Sequence, residues 1–220
     1  MDAIIFDFDG VLLESEYAGN RHIAELLTEL GHPTEVEEAL THFSGLNGPD
    51  FIAAIEARIG MALPPEFHEK RRVEDRRVLR EGLAAVAGAV EFVRALPPEL
   101  PKAVASSSSV KWIAAHLDHL GLRDAFGEHL YSGAEHVDRG KPAPDLYLHA
   151  AEQLGVPIAN CVIIEDSPVG AMGALASGGR VIGLVAGSHC LPGHDERLQA
   201  LGVRDIAYSF EEVRPRLGLG

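Results

Sequence analysis

Two aspartates stand one residue apart at the end of an apolar run, in IIFDFDGVL from Ile4 to Leu12, and a glycine follows the second at once. A carboxylate buried without compensation is costly, so Asp7 and Asp9 call for partners that offset their charge. Three further stretches present polar groups just after apolar runs: Ser106 to Ser109 after KAVA, GKPAPD with Lys141 beyond HLYS, and Glu165-Asp166-Ser167 after CVII. Their types are complementary. A carboxylate can act as a nucleophile and form an aspartyl phosphate. Its repulsion from an anionic phosphate must be cancelled, and Mg2+ does this with hard oxygen ligands, needing only one or two carboxylates besides water and substrate oxygens. Asp166, with Glu165 beside it, would complete such a site opposite Asp7. Ser106 with Ser107, together with the first free N–H groups of the following helix, make an anion cradle. Lys141 supplies a point positive charge to a phosphoryl oxygen and to the nucleophile. Asp9, carried past the strand end by a turn that Gly10 permits, can protonate a leaving group and later deprotonate water.

That chemistry requires all four stretches at one edge of the fold. In open α/β sheets ligands sit outside the carboxyl ends of the strands. Short apolar runs at 3–8, 102–106, 129–132, 161–166, 180–185 and 205–210 alternate with helical patterns at 110–122, 143–155 and 167–179. The alternation predicts right-handed βαβ units and a doubly wound, Rossmann-like, mostly parallel sheet of the α/β class. Residues 15–81 carry only helical periodicity, enough for about four helices, so they are read as an all-helical cap domain inserted after the first strand. The α/β core domain then comprises 1–14 and 82–220, with AAVAGAVEFVRAL (84–96) as its next helix. Each polar stretch alone has a plainer reading as a turn, an N-cap or a helix start. Four such coincidences, in order, at successive strand ends, are much harder to accept.

Composition narrows the partners. The 220 residues are 46% hydrophobic and 24% charged, with Lys+Arg 19 against Asp+Glu 33, a net charge of −14. Such a balance argues against a nucleic-acid partner. No run approaches the length of a membrane span. The N-terminus enters the first strand without a targeting pattern and the two cysteines do not make a disulfide framework, so the expected address is cytoplasmic. No GxxxxGK[ST] or GxGxxG occurs, so no nucleotide cofactor is expected. The loop GSHCLPGH, with His189, Cys190 and His194, lacks a fourth ligand and is read as an ordinary loop at the border of the site. Trp112 is read as packing. Oligomeric state is not legible.

DFDGVL, the serine after the second strand, GKPAPD and IIEDSPVGA resemble, in order, the four motifs of the haloacid dehalogenase superfamily, nearest its sugar-phosphate phosphatases and β-phosphoglucomutase-like members. The resemblance spans the whole chain, helical cap included. It implies Asp7 as nucleophile, Asp9 as acid/base, and Ser106 and Lys141 on phosphate. It also implies Mg2+ on Asp7, the Asp9 backbone carbonyl and Asp166, with Glu165 nearby. Founding dehalogenases lack the second aspartate, so Asp9 turns the expectation to phosphate esters. Mutase relatives carry a cap-loop arginine and a cap histidine where this chain has Gly48 and Gly19, which favours hydrolysis over phosphosugar mutation. Most relatives read DSE where this chain has Glu14-Ser15-Glu16, a change expected at the cap hinge. A non-catalytic phospho-receiver is the remaining alternative, but receivers phosphorylate an aspartate on a later strand of a shorter chain. The expected substrate is a small phosphorylated metabolite, contacted by Asn20, Arg21 and Asn47 on the cap and by Ser108 on the core.

Overall fold

The computed structural model describes residues 1–44 and 48–218. Six parallel strands form one sheet: β1 (Ala3–Phe6), β2 (Lys102–Ser106), β3 (Leu130–Ser132), β4 (Cys161–Glu165), β5 (Arg180–Leu184) and β6 (Asp205–Ala207), in the order β3-β2-β1-β4-β5-β6. The chain winds outward from β1 in one direction and then from β4 in the other. The strand order therefore reverses between β1 and β4, where a crevice opens at the carboxyl ends. Alternation divides the apolar residues between two faces. Ile4, Phe6, Val104, Val162, Ile164 and Ile182 join one buried cluster, while Ala3, Ile5, Ala103, Cys161, Ile163 and Val181 join the other. Both faces are covered, which is why these strands read as continuous apolar runs.

Between β1 and β2 lie four helices, α1 (Ser15–Glu29), α2 (Val36–Phe43), α3 (Gly48–Ile59) and α4 (Pro65–Glu81), the segment read from the sequence as a cap and called so below. They bury a cluster of their own around Ile23, Leu27, Phe43, Ile55 and Phe67. The charged stretch of α4 is a solvent face laced by pairs such as Arg77 with Glu74 and Glu81. The remaining helices are α5 (Ala89–Ala95), α6 (Val110–Leu120), α7 (Arg123–Phe126), α8 (Asp145–Gln153), α9 (Pro168–Ser177), α10 (His194–Ala200) and α11 (Phe210–Arg216). Among the described residues no helix is long and apolar enough to cross a membrane.

Some boundaries differ from the pattern. The helix expected over 84–96 occupies only Ala89–Ala95, because Gly88 enters it at φ 81° and the preceding residues pair instead. Leu13 and Ala85 form an antiparallel bridge, Val86 N–H donates to the Leu12 carbonyl at 3.2 Å, and Glu14 N–H to that of Ala84 at 3.0 Å. The two chain passages between sheet and cap thus hold each other. The last strand stops at Ala207, since Ser209 accepts the Glu212 N–H at 3.3 Å and starts α11.

Candidate active site

Asp7 follows β1 directly, and its N–H still donates to the Ile164 carbonyl at 2.9 Å, so the ladder fixes where its side chain emerges. Lys141, from the loop between β3 and α8, places Nζ 2.5 Å from Asp7 Oδ1 and 2.7 Å from Glu165 Oε1, with only 4% of its side chain exposed. Burial alone would lower the lysine, but Asp7 and Glu165 outweigh it and hold the ammonium well above its ordinary range. Glu165, at the end of β4, is fully occupied. Its Oε1 also accepts from Tyr147 at 3.0 Å, and its Oε2 accepts the Ser167 N–H at 2.6 Å and hydroxyl at 3.1 Å. A Cβ at residue 170 would fall 1.6 Å from Glu165 Oε1, which accounts for the glycine of DSPVG. The sequence placed Glu165 with the metal ligands; in the structure it also holds Lys141 through Oε1, and it keeps an oxygen near those of Asp7 and Asp166.

Asp166 is 1% exposed. His189 Nε2 lies 2.7 Å from its Oδ2, while its Oδ1 is buried without a partner. Desolvation raises both Asp7 and Asp166 well above the usual carboxylate range, reinforced for Asp166 by Glu165 and Glu16. Asp7, Glu165 and Asp166 each offer an oxygen within 4.8 Å of the others'. Two desolvated carboxylates, one with a bare oxygen, fit a hard divalent cation.

Asp9 immediately precedes Gly10, whose φ of 89° turns the chain away from the strand direction. Its Oδ1 accepts from Ser15 Oγ at 2.7 Å and Trp112 Nε1 at 3.1 Å; its Oδ2 accepts from Ser106 Oγ at 3.1 Å and Ser108 Oγ at 2.6 Å. Ser109 caps α6 by accepting the Trp112 N–H. Asp7, Asp9, Ser106, Ser107, Lys141 and Asp166 all line one cavity of 660 Å³.

The sequence model of the haloacid dehalogenase-like hydrolases matches residues 1–178. The chain belongs to that family. This hydrolase is 28% identical to a 6-phosphogluconate phosphatase of Escherichia coli over 87% of its own length and 86% of the relative's. It is 30% identical to a fructose-1-phosphate phosphatase of the same organism, over 80% and 92%. A crystal structure of a family hydrolase from Deinococcus radiodurans with bound phosphate and sodium superposes with a TM-score of 0.86 at 33% identity, over 99% and 95% of the two chains.

Other expected residues fall elsewhere in the hydrolase. Asn20 is buried within the cap, donating to the Glu16 carbonyl at 2.9 Å, and lines a separate cavity of 290 Å³. Arg21, one helical step away, points to solvent beside Glu25. Neither lines the catalytic cavity. Asn47 lies outside the described residues. The cap reaches the catalytic cavity instead through Glu16, Leu40, Thr41 and Ser44. Trp112 packs against the core cluster as read, and its indole N–H also donates to Asp9, a contact the sequence did not show. The border loop does reach the site through His189. His194 is engaged on both ring nitrogens: Nε2 donates to the Asp166 carbonyl at 2.6 Å and Nδ1 accepts from Arg197 at 3.1 Å. Burial, then Asp166, push the Cys190 thiol up to about 12, so it stays protonated.

Proposed function

We propose that this hydrolase is a Mg2+-dependent phosphatase of a small phosphorylated metabolite, a sugar phosphate first of all, acting through an aspartyl phosphate on Asp7. One observation carries the reading: an ammonium 2.5 Å from Asp7 in the same buried cavity as Asp166, whose Oδ1 has no partner. The named activities of the two Escherichia coli relatives support the substrate class.

Asp7 attacks phosphorus while Asp9 gives a proton to the departing alkoxide. Asp9 then takes a proton from water, which attacks the same phosphorus, releases phosphate and restores the Asp7 carboxylate. Lys141 orients the nucleophile and offsets its charge against the phosphoryl oxygens. Ser106 and Ser107 stand at the end of β2 to receive the phosphoryl group. Mg2+, held by Asp7, Asp166 and the Asp9 backbone carbonyl, would reduce the repulsion between carboxylate and phosphate. Asp9 accepts four hydrogen bonds in this conformation, so delivering a proton requires release from some of them. Ser15, the first residue of α1, is the donor that travels with the cap. Among the described residues, the cap supplies no cation to the catalytic cavity; Arg197 of α10 lines it from the core, donating to His194 Nδ1. The lack of a cap cation favours hydrolysis over a mutase, which must hold a second phosphate, and a catalytic cavity that the inserted helices help to line speaks against a receiver module.

The test is phosphate release from p-nitrophenyl phosphate and a panel of sugar phosphates. The reading expects turnover that chelation abolishes and Mg2+ restores; turnover indifferent to chelation refutes it. With a bisphosphate primer, an isomerised phosphosugar in place of free phosphate would assign the mutase reaction instead.

Mg2+ is also expected to stabilise the fold in a pH-dependent way. Asp7 and Asp166 are raised in the folded state, so the metal-free protein loses stability as pH rises through those values, and protons compete with the cation when pH falls. At a hundredfold excess over its dissociation constant, Mg2+ should add about 2.7 kcal/mol, roughly 5–10 °C in Tm for a chain of this size. Differential scanning calorimetry should find a larger gain near pH 8 than near pH 5.5. An equal gain at both would disconnect the cation from these carboxylates.

A further inference from the structure

The reaction just described makes no use of His189, yet the structure builds a specific place for it. The residue is 7% exposed. A Cβ on Gly10 would come 2.1 Å from Asp166 Oδ2 and 2.8 Å from His189 Cε1, and one on Gly187 would come 2.6 Å from that ring atom, so two glycines keep open the place where the imidazole meets the carboxylate. The neighbouring Ser188 is clamped. Its N–H donates to Glu14 Oε1 at 3.1 Å and Oε2 at 3.0 Å, and its hydroxyl donates to Oε1 at 3.1 Å. Glu14 immediately precedes α1, at the passage from core to cap. A continuous line of contacts thus runs from the cap hinge through Ser188 and His189 to Asp166.

We propose that His189 is a positioning residue for the divalent-cation site: Nε2 donates to Asp166 Oδ2 and fixes the carboxylate so that Oδ1 is left for the cation, while Glu14 holds the loop that carries the ring. The inference rests on Asp166 being a metal ligand. Without the imidazole, the carboxylate would have to be ordered when the cation binds, which weakens binding. His189 itself does not touch the reacting atoms.

Calorimetric titration of Mg2+ without substrate tests this, with folding monitored by circular dichroism. His189→Ala should weaken Mg2+ binding about 10–100-fold. His189→Gln, which keeps an N–H donor of comparable reach, should recover most of the affinity. Glu14→Ala, outside the cavity, should weaken binding in the same direction by less. In kinetics, the loss should fall on the Mg2+ activation constant more than on kcat. Unchanged affinity in His189→Ala overturns the proposal. So does a glutamine variant as weak as the alanine one, since ring volume rather than the hydrogen bond would then be at work. If wild type binds no Mg2+, the metal reading itself fails, and that outcome is distinct because it appears before any substitution is made.

Discussion

Asp7→Asn is expected to lower phosphate release by on the order of 10⁴–10⁶, the scale seen when a nucleophile that works as part of a unit is removed. The amide cannot form the acyl phosphate, and the neighbouring core carboxylates are engaged: Asp9 sits under four donors, Glu165 is saturated, and Asp166 is held at Oδ2. Stability should move the other way. Burial, against the opposing pull of Lys141, leaves Asp7 well above the ordinary carboxylate range, with Glu165, Asp166 and Asp9 adding repulsion. A group raised in this way favours the folded state below its unfolded value and disfavours it as pH climbs through the folded one. Asparagine removes that burden, while Lys141 retains Glu165. The metal-free variant should therefore melt at or above the wild-type temperature, with the difference widening toward pH 8. Hydrolysis of p-nitrophenyl phosphate above about 1% of wild type, with Mg2+ present, would remove Asp7 from the role of nucleophile.

The sheet and the residues at its carboxyl edge were legible because their signals are local. Strands covered on both faces read as apolar runs, and polar residues that end such runs have only one edge on which to gather. What the sequence hid depends on how distant elements rotate against one another. Trp112 reaches Asp9 from α6, 103 residues along the chain, and Ser15, six residues on, reaches it only because the chain turns back at Gly10. Tyr147 reaches Glu165 from the far side of the loop that carries Lys141. On the cap, periodicity predicts that helices exist but not which face of α1 meets the core. Asn20 turned inward and Arg21 outward, and α2 supplied the contacts. The segment before α5 misled for a different reason. Its alanines favour a helix locally, but pairing with Leu12 to Glu14 satisfies the same backbone groups and joins the two passages of the chain.

Lys141→Met should be the mirror image of the asparagine variant. Methionine keeps most of the stem volume but removes the ammonium that faces Asp7 and Glu165, leaving two buried carboxylates without their common partner. Losing one member of such a buried set costs about 3–5 kcal/mol, on the order of 10 °C in Tm here. Turnover should fall about 10²–10³-fold, since a preformed charge aimed at the phosphoryl group is lost. The pH dependence has a definite sign. Lys141 lowers Asp7, so its removal raises that carboxyl further. The variant should then lose stability against wild type as pH rises, and the gap in Tm should be wider near pH 8 than near pH 5.5. Combining Lys141→Met with Asp7→Asn separates the two carboxylates. If the lysine chiefly compensates Asp7, the double variant should recover part of the lost stability, a non-additivity expected for groups in direct contact. Tyr147 and Ser167 would still donate to Glu165. Equal instability in the single and double variants would show instead that Lys141 is held in the fold by Glu165, with Asp7 free to leave the pair when it attacks phosphorus.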